Sequence, residues 1–492
     1  MTVAYKGDIL YTPTPERFAV IEDGYVLVGD DGRVVDVTGS LPSDAPVVSP
    51  HPTADGSDGR FGMVHENAAK RDFDTTAGPG HRPGDAPASG AEDGPERGSA
   101  DGPATGRENG PRAVTVVDRT GCLIIPGFND LHVHAPQLPM AGLGFDHELL
   151  PWLERYTFRA EARYADIDLA DRWYRRFVNR MWRVGTLRFS AFATLHDDAT
   201  LRLMELCQRS GLRPMVGKVN MDRNAPDYLI EDTDASLAGT EALVRRSREL
   251  TPDVGFVVTP RFVPSTTPAL MRGLGKLVAR YGLPVQSHLD ENRDEITWVR
   301  ELHPDIPTYA EVYERYGLMP EGRTIMAHCI WLTDRERALL RERRVRLAHC
   351  AQSNADLRSG IMPVRRDLEA GLDVTIASDV AGSHEPHMTR HIVQSIEVSK
   401  LKTFEAGHED DRPLRLSEAF HMATKAPGAF FGRVGSFEPG FEFDALVVRR
   451  EDSPLDLSPE ERLERFVYTG DDRDILERYV AGRLVPEPFP ER

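Results

Sequence analysis

A short β-rich run followed by a longer charged, helix-favouring segment recurs eight times in this chain of 492 residues. The region that holds the repeat, Pro126 to about Gly435, spans 310 residues, somewhat more than the roughly 250 of a typical eightfold strand–helix barrel. The repeat therefore predicts an α/β fold built on a (β/α)8 TIM-like barrel, whose chemistry lies at the carboxyl ends of its strands. The eight runs are Leu123–His134, Arg188–Leu195, Arg213–Met221, Val254–Phe262, Leu283–Leu289, Thr324–Cys329, Val345–Cys350 and Val374–Asp379.

Both ends of the chain carry a different pattern. Residues 7–38 alternate short β-rich runs with turn signals, which is typical of antiparallel hairpins, and similar runs return at Phe441–Val448 and Tyr479–Val485. Two β-rich ends around a long barrel predict one small β-sandwich domain assembled from both termini. The predicted boundaries are 1–50 with 436–492 for this domain and 113–435 for the barrel.

Residues 51–112 break the globular pattern. They hold 12 Gly and 7 Pro in 62 positions and contain no Leu, Ile, Trp or Tyr. Such a segment cannot bury enough apolar surface to offset the entropy of ordering it. We interpret it as a disordered, Gly/Pro-rich insertion that is remote from the chemistry.

Composition and charge exclude several classes of function. The 60 Lys and Arg residues are outnumbered by 78 Asp and Glu, and the net charge of −18 argues against nucleic acid as a partner. The sequence has no run of about 18 apolar residues and begins without the apolar core of a signal peptide. We therefore expect no membrane partner and a cytoplasmic location.

The four cysteines lie far apart, without a C-x-x-C pair, so a bound metal would be held by His, Asp or Glu. Suitable residues stand at the predicted strand ends. His132 and His134 alternate along the first strand and so point to one face. His288, His328 and Asp379 end the fifth, sixth and eighth strands. Three imidazoles and a carboxylate, with the fourth imidazole left open, suit a catalytic zinc ion with one position for water.

Glu291 lies three residues after His288, where the next loop can turn it back over the metal. Zinc lowers the pKa of its water to about 7, but a proton must still reach the leaving group, and a mobile carboxylate can carry it. The alternative is a helix N-terminal charge favoured by the macrodipole, a role that suits Asp290 better. Asp379 would be both a ligand and the acceptor for the water proton.

Three further residues near the strand ends predict contacts to a small heterocyclic substrate. Gln137 offers an amide donor and an amide acceptor together. Arg261 and Phe262 end the fourth strand, where a guanidinium can bind a ring carbonyl and a phenyl ring can stack on the heterocycle. Away from a strand end, the pair would indicate only a surface salt bridge beside a core aromatic.

Eight segments match the motifs of one known group in order and spacing. They are Pro126-Gly-Phe-Asn-Asp-Leu-His-Val-His-Ala-Pro-Gln, Trp152-Leu-Glu-Arg-Tyr-Thr-Phe-Arg-Ala-Glu, Val216-Gly-Lys-Val-Asn-Met-Asp, Thr259-Pro-Arg-Phe, Gln286-Ser-His-Leu-Asp-Glu-Asn-Arg-Asp-Glu, Met326-Ala-His, His349-Cys-Ala-Gln-Ser-Asn and Ser378-Asp-Val-Ala-Gly. In these segments the chain resembles the amidohydrolase superfamily and, within it, the guanine deaminases. The resemblance covers roughly residues 120–447.

The resemblance implies one zinc ion per chain and the hydrolytic deamination of guanine to xanthine and ammonia, a step of purine catabolism. Glu291 would act as the proton shuttle. Family members are commonly dimers, which implies a homodimer. The implied zinc ligands are His132, His134, His288, His328 and Asp379, and the implied nucleobase contacts are Gln137, Arg261 and Phe262 beside His134, His288, Glu291 and Asp379.

The sequence leaves alternatives open. His384 and His387 stand where the family carries a hydroxyl-bearing loop; we expect them to pack in the loop or to change pocket polarity, and another purine or azaheterocycle stays possible as the substrate. A two-metal amidohydrolase is disfavoured, because the fourth strand ends in Arg261 and not in the lysine that bridges two metals. A zinc-binding barrel without turnover would leave Glu291 without a role.

Deleting residues 51–112 should leave deaminase activity nearly unchanged, because the insertion is remote from the predicted ligands. The specific activity and soluble yield of the deletion variant, measured beside the full chain, check this prediction. A collapse in soluble expression would show that the insertion is structural.

Overall fold

The computed structural model of the protein describes residues 2–41, 47–48, 114–406 and 412–490. The insertion predicted over 51–112 lies outside these residues. The strands are β1 (Thr2–Thr14), β2 (Arg17–Val28), β3 (Val34–Thr38), β4 (Val47–Val48), β5 (Val114–Pro126), β6 (Phe128–His134), β7 (Thr186–Phe192), β8 (Met215–Gly217), β9 (Val219–Asn220), β10 (Gly255–Phe256), β11 (Thr259–Pro260), β12 (Val285–Leu289), β13 (Thr324–His328), β14 (Arg346–His349), β15 (Asp373–Ile376), β16 (Ala445–Val448), β17 (Ile475–Val480) and β18 (Arg483–Leu484).

Helices follow the strands through the middle of the chain. They are α1 (Leu149–Trp152), α2 (Phe158–Ala162), α3 (Ile167–Arg183), α4 (Asp197–Ser210), α5 (Thr233–Leu250), α6 (Pro268–Tyr281), α7 (Arg293–Leu302), α8 (Tyr309–Arg315), α9 (Asp334–Glu342), α10 (Ala351–Asp356), α11 (Val364–Glu369), α12 (Met388–Ala406), α13 (Leu416–Ala423), α14 (Lys425–Gly428) and α15 (Pro459–Thr469). Among the described residues, no helix combines the length and the apolar character required to cross a membrane.

The strands β6 to β15 pair in parallel around a barrel, and the third and fourth barrel positions are each split into two short strands, β8 with β9 and β10 with β11. The bridge between Val258 and Val285 joins the two halves of the barrel. The barrel closes where the N–H of Asp379 donates to the carbonyl of His132 at 2.8 Å and the N–H of His134 donates to that of Val380 at 2.7 Å. The predicted fold class, a (β/α)8 barrel with an extra β domain, is confirmed.

Burial explains why these runs become strands and the segments between them become helices. Every residue of β6 and β7 is buried, as expected for parallel strands that are covered on both faces. In α3 the buried residues Tyr174, Phe177, Val178 and Met181 recur at three- and four-residue spacing, which forms one apolar stripe toward the barrel. The carboxylate of Asp166 caps this helix by accepting from two backbone N–H groups.

Strands from both ends of the chain join one eight-stranded sheet beside the barrel. Its order is β18-β17-β16-β5-β1-β2-β3, with β4 also paired to β5. The strand β5 is the link, because it pairs in parallel with β1 and antiparallel with β16. The exact domain boundaries given above stay a prediction.

A buried ion pair ties this sheet to the barrel. The guanidinium of Arg188, on β7, donates to both carboxylate oxygens of Asp444 at 2.6 and 3.2 Å and to Glu442 at 2.7 Å. Arg188 and Asp444 are 5% and 1% exposed. A buried charge without its partner carries a large desolvation penalty, so the pair specifies how the two parts of the fold meet.

The variant Asp444→Asn should lower the free energy of unfolding by about 3 kcal/mol, because the buried Arg188 guanidinium loses its main counter-charge. Denaturant unfolding measures the effect. The control is Glu311→Gln, which breaks the ion pair with the exposed Arg335 and should change stability little. Equal losses in the two variants would contradict a special role for the buried pair.

Candidate active site

The five predicted ligand side chains meet at the carboxyl end of the barrel. The Nε2 atom of His134 lies 3.3 Å from the Nε2 atoms of both His132 and His288. Oδ1 of Asp379 lies 3.1 Å from Nε2 of His132 and 3.3 Å from Nε2 of His134. His328 lies slightly further out, with its Nε2 3.9 Å from Oδ2 of Asp379. All five side chains are buried.

Strand geometry positions these groups. His132 and His134 alternate along β6 and so share one face. His328 is the last residue of β13, and Asp379 follows β15 after a short connection. Both have a left-handed backbone, with φ of 71° and 52°, which is uncommon outside glycine and concentrates at functional sites.

Hydrogen bonds on the far side of two rings set their tautomers. Nδ1 of His288 lies 2.7 Å from the backbone carbonyl of Arg261. Since a carbonyl only accepts, Nδ1 carries the proton and Nε2 presents a lone pair to the cluster. Nδ1 of His328 makes the same kind of bond, 2.9 Å from Oδ1 of Asn354. Such outer partners orient metal-binding imidazoles.

Burial also sets the charge of the cluster. It lowers the pKa of His132 to about 4 and that of His288 well below its ordinary value. Burial opposes ionisation of Asp379 as well, but the neighbouring His132 holds the pKa of this carboxyl well below its usual range. At neutral pH the rings of His132 and His288 are therefore neutral, and Asp379 beside them is a carboxylate.

This donor set fits a single metal ion. Ligand atoms about 2.1 Å from one tetrahedral ion are about 3.4 Å apart, close to the 3.1 to 3.3 Å between the nitrogen and oxygen atoms of His132, His134, His288 and Asp379. A bound ion would satisfy the lone pairs of these nitrogen and oxygen atoms, which otherwise face one another without a hydrogen-bond donor between them. Cys350 also reaches the cluster, but burial raises the pKa of its thiol well above the ordinary value, which disfavours thiolate ligation.

Glu291 stands beside the cluster. Its Oε2 lies 3.4 Å from Nε2 of His328, and its Oε1 accepts from the hydroxyl of Ser359 at 3.2 Å. Burial, followed by the charge of Asp379, raises the pKa of Glu291 to about 8. Glu295 holds the loop, because its carboxylate accepts from the backbone N–H of Glu291 at 3.1 Å.

The helix after Glu291 corrects one expectation. The sequence predicts Asp290 as the acidic residue that favours the helix N-terminus, but α7 is capped by Asn292 and has Asp294 and Glu295 in its first turn. Asp290 lies before the helix, is buried, and has a left-handed φ of 50°. The assignment of Asp290 is wrong, because the chain needs two more residues to turn into the helix.

A small cavity opens beside the cluster. Gln137, Arg261 and Phe262 all line it, together with His134, His288, Glu291, His328 and Asp379. Apolar residues complete the wall. They are Leu149, Trp152, Leu153 and Leu357. Convergent polar groups beside an apolar wall are typical of a small-molecule site.

His384 and His387, the two histidines that leave the identity of the substrate open, lie outside this cavity. Neither His384 nor His387 is among the residues that line the cavity. His384 is exposed and its Nδ1 lies 3.0 Å from Oδ2 of Asp356. His387 is buried and its Nδ1 lies 2.8 Å from the hydroxyl of Thr389. The partner of His384 is thus the last residue of α10, and the partner of His387 lies in the first turn of α12.

Four residues that touch the site were not predicted as parts of it. Glu161 contacts both Gln137 and Arg261; it ends one of the quoted segments, so a signal for it was present. Asn354 and Cys350 also fall within a quoted segment. No feature of the sequence distinguishes Ser359.

Comparison with known proteins shows which family this chain belongs to. Residues 123–485 match the amidohydrolase family. The chain is 39% identical over 381 residues to guanine deaminase of Dictyostelium discoideum, covering 75% of this chain and 84% of that protein, and 38% identical over 377 residues to the Mus musculus enzyme, covering 73% and 82%. It also resembles the crystal structure of guanine deaminase from C. acetobutylicum with bound guanine, with a TM-score of 0.82, 38% identity, and coverage of 99% of this chain and 100% of that one. The chain thus belongs to the amidohydrolase family, among the guanine deaminases.

Proposed function

We propose that the protein catalyses the hydrolytic deamination of guanine to xanthine and ammonia. One observation carries the proposal: the imidazole–carboxylate cluster and the Glu291 carboxyl line one cavity with Gln137, Arg261 and Phe262. A nucleophile, a proton carrier and groups that bind a planar heterocycle can therefore act on one molecule. The likeness to guanine deaminases supports guanine as that molecule.

We propose zinc as the ion, held by His132, His134, His288, His328 and Asp379. Imidazole nitrogens with one carboxylate are ligands that zinc prefers. Zinc bound there supplies Lewis acidity, which lowers the pKa of water to about 7 and makes a nucleophile available at neutral pH.

The two carboxyl groups of the site divide the protons between them. Asp379, ionised in the cluster, accepts a proton from the attacking water. Glu291 holds a proton at neutral pH because its pKa is raised to about 8, and its Oε2 faces the cluster. Glu291 delivers its proton to the ring nitrogen as the C2–O bond forms. It then takes up the proton of the new C2 hydroxyl and passes this proton to the amino group, so that the C2–N bond breaks and ammonia leaves. The water proton held by Asp379 finally restores the proton of Glu291.

The remaining polar groups orient the base. The guanidinium of Arg261 donates to the ring carbonyl, and the amide of Gln137 binds a neighbouring ring position. The ring of Phe262 packs against the face of the heterocycle. The Phe262 ring in turn packs edge-on against the ring of Trp298, with 6.4 Å between the two ring centroids. This arrangement aims C2 of the base at the cluster.

Two alternative functions would require different features of the site. A deaminase of another azaheterocycle would use the same cluster with a different pattern of donors and acceptors in the cavity. A zinc-binding barrel without turnover needs no proton carrier, and the raised pKa of Glu291 beside the cluster disfavours it. Ammonia release from a panel of purines and pyrimidines separates all three.

The oligomeric state and the cellular location are proposed from the family resemblance alone. We propose a homodimer in the cytoplasm. Light scattering of the purified full chain measures the oligomeric state, and a monomer would remove that part of the proposal.

The variant Glu291→Gln should keep its zinc and lose at least about 100-fold in turnover, because an amide cannot carry the proton. Steady-state xanthine formation gives the rate, and metal analysis of the same sample gives the zinc content. Undiminished xanthine formation would refute the shuttle role of Glu291.

The variant Asn354→Ala should weaken zinc binding by about 10- to 100-fold, because the His328 ring loses the partner that orients it. Competition with a chelator measures the affinity. The control is Asn179→Ala, a buried asparagine whose amide instead binds the backbone of Phe489. Equal zinc affinity in the two variants would contradict the role given to Asn354.

A further inference from the structure

Glu161 is a buried acid that the mechanism above does not use. It lies in α2, outside the barrel strands, and is 2% exposed. Its Oε1 accepts from Nε2 of Gln137 at 2.8 Å, and its Oε2 accepts from Nη1 of Arg261 at 2.7 Å. One carboxylate therefore binds both polar groups that the proposed function assigns to recognition of the base.

The chemistry of these bonds determines what each group presents to the cavity. A carboxylate accepts hydrogen bonds and donates none, so the amide of Gln137 must turn its NH₂ toward Glu161. The carbonyl oxygen of that amide then points away from Glu161. Nη1 of Arg261 donates to Glu161, and the other N–H groups of its planar guanidinium stay available for other acceptors. Both side chains line the cavity.

The pair is held firmly enough to keep this arrangement. Gln137 and Arg261 are 2% and 3% exposed, so neither can exchange Glu161 for bulk water without a desolvation cost. The guanidinium of Arg261 also lies over the ring of Phe158, with 5.3 Å from Cζ to the centroid. The backbone carbonyl of Arg261 is bound in turn by His288.

Resting on the proposed function, we propose that Glu161 sets the hydrogen-bonding polarity of the base pocket, with an acceptor at Gln137 and a donor at Arg261. This polarity matches a purine that carries a ring N–H next to a carbonyl oxygen. It mismatches a purine that carries a ring lone pair next to an amino group. Glu161 is thus a positioning residue that selects guanine over 2,6-diaminopurine.

The variant Glu161→Gln tests the proposal, because it replaces one carboxylate oxygen with an NH₂ group and keeps the shape. The oxygen of the introduced amide can still accept from Arg261, but its NH₂ must meet an acceptor. Gln137 therefore rotates its amide and presents NH₂ to the cavity. We expect kcat/KM for guanine to fall, and the preference for guanine over 2,6-diaminopurine to shrink by at least about 100-fold, since a buried polar group that loses its partner discriminates on this scale. Zinc content should stay the same.

The double variant Gln137→Glu with Glu161→Gln exchanges the two groups. It keeps an amide paired with a carboxylate and returns an acceptor to the cavity at position 137, so it should recover most of the lost preference. A role limited to packing predicts no such recovery. If the single variant is insoluble, the double variant still tests the proposal.

The control is Glu418→Gln, which alters another buried carboxylate. Glu418 accepts two bonds from Arg365 at 2.9 and 3.0 Å and does not line the base cavity. This variant should keep the wild-type preference. Purine affinities measured by calorimetry accompany the rates, so that polarity is tested by binding as well.

The outcomes separate the two proposals. If the wild-type protein releases no ammonia from guanine, the proposed function fails, and the calorimetric preference alone decides the role of Glu161. If the wild-type protein is active and Glu161→Gln keeps its preference within about threefold, the polarity proposal is overturned and the proposed function stands.

Discussion

The backbone hydrogen bonds that close the barrel are the constraint on which the site depends. They join the N–H of Asp379 to the carbonyl of His132, and the N–H of His134 to the carbonyl of Val380. Three of these four residues belong to the imidazole–carboxylate cluster. Closing the barrel and assembling this cluster are therefore one event, because the same backbone contacts bring the first and last barrel strands and their side chains together.

A single physical effect produces the chemical states of the site. Burial disfavours charge, so it removes the proton from an imidazole and keeps the proton on a carboxylic acid. It lowers the pKa of His132 to about 4 and raises that of Glu291 to about 8. Asp379 escapes this trend because the imidazoles around it stabilise its negative charge. The same low-dielectric environment thus yields a neutral imidazole and a protonated carboxylic acid in one site.

Arg261 connects the imidazole–carboxylate cluster to the cavity beside it. Its backbone carbonyl fixes the tautomer of His288, and its guanidinium lines the cavity and pairs with Glu161. A shift of this one residue would disturb the orientation of the His288 ring and the shape of the cavity wall together. Coupling of this kind explains why a site needs a supporting layer of side chains that never touch the reacting atoms.

The sequence by itself determined the barrel and which side chains meet at its carboxyl end, because both follow from periodic patterns. Parallel strands deliver their carboxyl ends to one edge, and alternation along β6 places His132 and His134 on one face. Only the tertiary structure decided the partners of those residues. Glu161 and Arg261 stand 100 positions apart, and Ser359 meets Glu291 from another loop. Such pairs depend on how helices and loops pack and on which rotamers the packing permits, and no local periodicity encodes that information.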